Sequence, residues 1–185
     1  VAWLRCIPAD TGLALFAVGG YGRGELYPQS DIDLLVLAEA AVSQLHADAL
    51  ARFFALLWDS GLPVGHAVRS LAQCTEASIE DITVLTAMLE ARPLAANEHE
   101  RRELLVGQHA QLDAQRRELQ AAVSPRLVWP PQPFFEAKRK ELRERHARFD
   151  DTADNLEPNL KEGPGGLRDV QTLSWMALRI IGTAD

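Results

Sequence analysis

A double glycine followed after ten residues by an Asp-x-Asp pair constrains this chain more than any other feature. Gly19 and Gly20 close the apolar run Leu13 to Val18, and Asp31 and Asp33 open the run Ile32 to Leu37. Apolar runs of this length, punctuated by glycine, proline and serine, read as buried strands. The stretch between them is then a tight, glycine-rich connection. Residues two apart on a strand point to one face, so Asp31 and Asp33 project together while Ile32 turns to the core. Adjacent carboxylates repel unless a cation lies between them. A hard divalent ion such as Mg²⁺ suits all-oxygen ligation, with waters and substrate phosphates completing its shell. Upstream, Gly19, Gly20, Gly22 and Gly24 lack side chains and tolerate positive φ, which lets backbone N–H groups approach a polyphosphate. Arg23 adds a positive charge nearby, and Ser30 precedes the first aspartate. Taken singly, each piece is also ordinary turn chemistry; the ordered combination points to a nucleotidyl-transfer site.

The spacing Val18-Gly-Gly20, ten residues, Asp31-Ile-Asp33 resembles the signature of the polymerase-beta-type nucleotidyltransferase superfamily. The longer wording Ala17-Val-Gly-Gly-Tyr-Gly-Arg-Gly-Glu-Leu26, with Ser30-Asp-Ile-Asp-Leu-Leu35, looks like the bifunctional uridylyltransferase/uridylyl-removing family that modifies the nitrogen-regulatory PII protein. A second segment, Leu156-Glu-Pro-Asn-Leu-Lys-Glu-Gly-Pro-Gly-Gly-Leu-Arg-Asp-Val-Gln171, is similar to the hallmark that follows the transferase domain there. A looser version occurs in the glutamine-synthetase adenylyltransferase. Competing motifs fit poorly. Gly19 to Gly24 lacks the Gly-x-Gly-x-x-Gly spacing, no Gly-Lys-Ser/Thr phosphate loop is present, and no calcium-loop pattern occurs.

Length and composition allow one compact α/β domain with a helical appendage: 185 residues, 47% of them hydrophobic. The expected class is α/β (α+β), a mixed-sheet nucleotidyltransferase domain over residues 1–123 and an α-helical linker domain over 124–185. No apolar run of membrane-spanning length and no signal-peptide pattern occurs, so a cytoplasmic location is expected. Cys6 and Cys74 stand apart from any metal-ligand spacing and are expected to be reduced thiols. A formal charge of −7 argues against broad nucleic-acid binding. Lys138, Arg139, Lys140, Arg143, Arg145 and Arg148 alternate with Glu136, Glu141 and Glu144, which reads as a solvated helix face laced with ion pairs. An acidic partner or the triphosphate is the functional alternative.

A core-packing helix is expected over Val42 to Asp59, with Leu45, Ala49, Phe53, Leu56 and Leu57 on one face. Pro63 to Arg69 reads as a third strand, with Val64, His66 and Val68 on one side and Gly65, Ala67 and Arg69 on the other. The family pattern implies a third carboxylate near Gly65, and none is there. Asp81 and Asp169 are the candidates to replace it. Asp81 is equally an N-cap for a helix over Ile82 to Ala91, and His66 reads as a packed strand residue rather than a base. Arg69 meets either a phosphate or a surface carboxylate. Glu98 to Ala122 is charged and helical, and the prolines from Pro125 to Pro133 mark a boundary. Gly163 to Gly166 forms a sharp turn feeding a helix that opens near Leu167. Such a helix start presents free N–H groups, so Lys161, Arg168 and Asp169 join the candidate nucleotide-binding set, closing on the phosphates from the helical side.

The resemblance implies UTP as donor, Asp31 and Asp33 as Mg²⁺ ligands, and a tyrosine of PII as acceptor. The family enzyme also carries a metal-dependent uridylyl-removing domain with a His-Asp motif and glutamine-sensing domains. His46, His66, His99, His109 and His146 are each followed by Ala or Glu. This stretch is therefore expected to be a piece of a larger protein, with neither hydrolytic nor sensing activity of its own. Adenylyl transfer to glutamine synthetase, and a nucleotide-binding module without catalysis, are the alternatives.

Overall fold

A computed structural model describes residues 2–8, 11–27, 30–95, 110–152 and 159–181. The first part of the charged stretch after Glu98, with His99 and His109, lies outside the described residues, as do Leu156 to Pro158. The chain divides into two compact units, Val1–Val123 and Ser124–Asp185.

In the first unit the elements run α1 (Ala2–Cys6), β1 (Ala14–Ala17), α2 (Gly19–Arg23), β2 (Ile32–Leu37), α3 (Ala40–Leu45), α4 (Ala47–Asp59), β3 (Val64–Arg69), α5 (Leu71–Glu80), α6 (Ile82–Leu89), β4 (Arg92–Ala95) and α7 (Ala110–Ala122). The strands form one mixed sheet in the order β3-β2-β1-β4, in which β1 is antiparallel to β2 and β4, and β2 is parallel to β3. A sheet covered on both faces needs apolar residues at successive positions, and the central strands supply them. Leu13, Leu15, Leu34 and Val36 face Trp3, Leu50, Phe53 and Phe54 of α1 and α4. Trp3 meets Phe53 edge-on with ring centres 5.1 Å apart. The alternate residues Phe16 and Leu35, both fully buried, point to the opposite face, where α6 packs.

Three features depart from expectation, the first two for local reasons. The helix over 42–59 is broken at His46, whose φ of −110° and ψ of 19° end α3 and restart the turn as α4. The buried stripe therefore becomes Ala49, Leu50, Phe53 and Phe54, while Leu45 and Leu56 are 78% and 44% exposed. α5 opens with a capping box: Ser70 Oγ accepts from the Gln73 N–H at 3.3 Å, and Gln73 Oε1 accepts from the Ser70 N–H at 2.9 Å. That Ser-x-x-Gln signature is readable in the sequence. β4 closes the sheet edge beside β1 with a shifted register at Leu15/Phe16, a pairing that no local pattern in Arg92–Ala95 announces.

The second unit pairs α8 (Pro131–Ala147) with α9 (Leu167–Ile181). Phe134 packs inside with Trp175 and Met176. The basic face of α8 is not wholly solvated. Lys140 pairs with Glu144 at the surface, 3.7 Å apart. Lys138, only 1% exposed, turns inward, 2.7 Å from Glu141 and 4.5 Å from the Trp175 ring centre. Burial lowers its pKa against the raising effect of Glu141. Among the described residues no helix is long and apolar enough to cross a membrane.

Candidate active site

The sheet brings the glycine pair and the second aspartate together. β1 ends at Ala17, the Val18 N–H donates to the Asp33 carbonyl at 3.0 Å, and α2 begins at once with Gly19 at φ +57°. The expected tight connection is thus a five-residue helix and a loop. Its C-cap Gly24 takes φ +79°. In the parallel pair Asp33 lies directly across from Gly65. The Asp33 carboxylate fills the space that side chains at both glycines would occupy: a Cβ on Gly65 would stand 2.8 Å from Oδ1, and one on Gly19 3.2 Å from Oδ2. Asp33 therefore stands between two glycines whose missing side chains leave room for its carboxylate. Asp31 is exposed at the head of β2.

Asp33 opens onto a pocket of about 280 Å³ between β2, β3 and α6, lined also by Val18, Gly65, Ala67, Arg69, Thr83 and Met88. Asp81 is the N-cap of α6, its Oδ1 accepting from the Thr83 N–H and hydroxyl at 2.7 Å each. His66 stacks on Phe54, ring centres 3.9 Å apart, but remains exposed rather than packed inside. Among the described residues no group of three or more His, Cys, Asp or Glu side chains could hold a metal ion. The carboxylates of Asp31 and Asp33 are hard oxygen donors, a chemistry that fits a hard cation.

The remaining candidates are engaged locally. Arg23 pairs with Glu25 at 2.8 Å and with Glu90, fastening α2 beneath the end of α6. Ser30 Oγ accepts from the Tyr27 N–H at 3.1 Å. In the second unit, Asn159 Oδ1 accepts from the N–H groups of Lys161 and Glu162 at 3.1 and 2.9 Å, and Gly165 turns the chain at φ +75°. The start of α9 does not present free N–H groups. Those of Gly166, Leu167, Arg168 and Asp169 donate to the carbonyls of Gly163, Leu160, Lys161 and Gly166. Lys161 is exposed, whereas Arg168 bonds Gln171 at 2.9 Å and Glu162 at 3.3 Å. Asp169 accepts from Arg145, from His146 Nε2 and, at 2.8 Å, from the Gly165 N–H. Burial raises the Asp169 pKa, but the bonds from His146, Gly165 and Arg145 outweigh it and hold the carboxyl below its ordinary range. Its oxygens pin the glycine turn to α8.

A family profile described as a nucleotidyltransferase domain matches residues 8–90, and one described as GlnD PII-uridylyltransferase matches residues 133–185. The bifunctional uridylyltransferase/uridylyl-removing enzyme of Xanthomonas campestris pv. campestris (strain 8004) is 63% identical over 185 residues, covering 100% of this chain and 19% of the relative. The enzyme of the same name from Xanthomonas axonopodis pv. citri (strain 306) is 60% identical with the same coverage. That of Azotobacter vinelandii (strain DJ / ATCC BAA-1303) is 48% identical over 174 residues, 94% of this chain and 18% of the relative. The chain thus spans about a fifth of the length of the curated relatives it matches. With the glycine pair, the Asp-x-Asp strand and the glycine-rich turn in place, the chain matches one stretch of the bifunctional uridylyltransferase/uridylyl-removing enzymes over its whole length, with a nucleotidyltransferase domain at residues 8–90.

Proposed function

We propose that the first unit carries the uridylyl-transfer site of this family. It takes UTP as donor in the cytoplasm, a tyrosyl hydroxyl of PII as acceptor and Mg²⁺ as the metal. The placement of the Asp33 carboxylate between Gly19 and Gly65, at the mouth of a pocket of about 280 Å³, carries the reading. Asp31 and Asp33 would hold the ion, which when bound neutralises triphosphate charge. Gly19 and Gly20 keep the approach to Asp33 free of side chains. In the reaction a tyrosyl O–P bond forms at the α-phosphate and the bond to the β-phosphate oxygen breaks. The acceptor proton is lost and pyrophosphate leaves.

Calorimetric titration with UTP, ATP, CTP and GTP in Mg²⁺ is expected to show metal-dependent binding that favours UTP, followed by labelling of PII. Preference for ATP would shift the assignment to adenylyl transfer. Binding with no turnover would leave a regulatory module, a reading favoured by glycine occupying the place opposite Asp33.

Gly65→Ala offers a sharper test of the geometry, because the new Cβ would come within 2.8 Å of Asp33 Oδ1. Alanine suits a strand backbone, so the thermal midpoint should change little. Displacing a reactive-site group by about 1 Å can cost on the order of 100-fold, and uridylylation should fall by up to that factor. A fully active variant would show that the position of Asp33 is not critical.

A further inference from the structure

Arg69 stands at the far end of the Asp33 pocket. It lies four residues beyond Gly65 on the same face of β3, about 13 Å of strand, and lines the pocket with Asp33, Ala67 and Thr83. Its side chain is partly buried. Two other arginines of this unit have settled acceptors: Arg23 has Glu25 and Glu90, and Arg92 has the carbonyls of Gly22 and Tyr21 at 3.1 and 2.9 Å. Arg69 has neither an ion pair nor a side-chain hydrogen bond among the described residues. The groups around it do not meet the need. The Cys74 thiol feels the Arg69 charge, but burial outweighs it and pushes the pKa up to about 11, so the sulfur is neutral. A guanidinium offers five donors in a rigid fork, remains charged, and when withdrawn from water is best matched by carboxylate or phosphate oxygens.

We infer that Arg69 is a substrate-binding residue that holds an anionic phosphate oxygen of the nucleotide, across the pocket from Asp33. This rests on the reading of Asp33 as part of the nucleotide site. A carboxylate at one end and an unmatched guanidinium at the other make the pocket bipolar, which suits a polyanion travelling with its own cation. The lining also includes the apolar residues Val84, Ala87 and Met88, whose side chains offer no competing polar partner to either group.

The test is titration of the chain, Arg69→Gln, Arg69→Lys and Asp33→Asn with Mg²⁺-UTP and with inorganic tripolyphosphate, each variant checked by thermal unfolding. Arg69→Gln is expected to weaken both ligands by about 10- to 100-fold, the range for a hydrogen bond to a charged group, at an unchanged thermal midpoint. Arg69→Lys should recover part of the loss, and serves alone if the glutamine variant does not fold. Unchanged affinity in both Arg69 variants, with binding lost in Asp33→Asn, overturns the role of Arg69 and leaves the Asp33 site standing. Weaker UTP binding with unchanged tripolyphosphate binding places the guanidinium on base or ribose and also overturns it. A wild-type chain that binds neither ligand overturns both readings.

Discussion

Asp33→Asn is expected to abolish uridylyl transfer while the purified variant unfolds at the wild-type temperature. Asparagine has nearly the same volume and keeps one carbonyl oxygen, so the fit between Gly19 and Gly65 survives. What disappears is the negative charge. A neutral amide is a poor partner for a hard divalent ion, and since losing even an outer-shell partner of a metal site costs about 10- to 100-fold, losing a ligand should exceed that. Turnover assays on PII with labelled UTP, together with calorimetry in Mg²⁺, would measure the effect. Retained transfer at near wild-type rate would refute the ligand role of Asp33. Asp31→Asn should fall in the same direction, and because Asp31 is exposed at the head of β2 it should leave the fold undisturbed.

Asp169→Ala is expected to have the largest effect on stability, and it acts on the second unit. The Arg145 side chain is 3% exposed and pairs with Asp169. Deleting the carboxylate strands a buried guanidinium, a change that typically costs about 3–5 kcal/mol. The Gly165 N–H and His146 lose an acceptor at the same stroke. Chemical denaturation should show a destabilised transition for Ser124–Asp185. Asp169→Asn, which still accepts from the Gly165 N–H, should lie between. The pH dependence has a definite sign. The folded Asp169 pKa is depressed, so its contribution is present above the ordinary value of 3.8 and is lost as pH falls through the folded value. Stability of the second unit should therefore decline below about pH 4, and the alanine variant should lack that component. If Asp169 were instead a metal ligand, the alanine variant would remain stable and lose only activity.

Those two aspartates show how far local pattern reaches. Asp33 could be proposed from sequence because the signals that single it out are local: a strand of period two, a glycine pair and a fixed spacing. Asp169 stands in an equally conspicuous motif, yet its partners Arg145 and His146 lie on another helix more than twenty residues away, so its occupation as a turn anchor was not visible. The same reason hid the inward turn of Lys138, which sequence reads as one more member of a charged face until Trp175 is placed beside it. Asp81 allowed both a cap and a ligand role, and only the position of the Thr83 N–H chooses the cap. The capping box at Ser70 was legible and marks a helix that hydrophobic periodicity alone did not announce.

Sequence by itself determined the strands Ile32–Leu37 and Val64–Arg69 to within a residue, the double glycine before an Asp-x-Asp, and the sharp turn before Leu167, because each depends on neighbours a few positions away. Only the tertiary structure decided that β2 and β3 run parallel with Asp33 opposite Gly65. That pairing gives the glycine in place of a third carboxylate a steric consequence: a Cβ at position 65 would press on the aspartate across the ladder. It also decided that Arg69 shares a pocket with Asp33 while Arg23 is neutralised by Glu90. Charge compensation depends on which groups meet in space, and distances along the chain do not encode it.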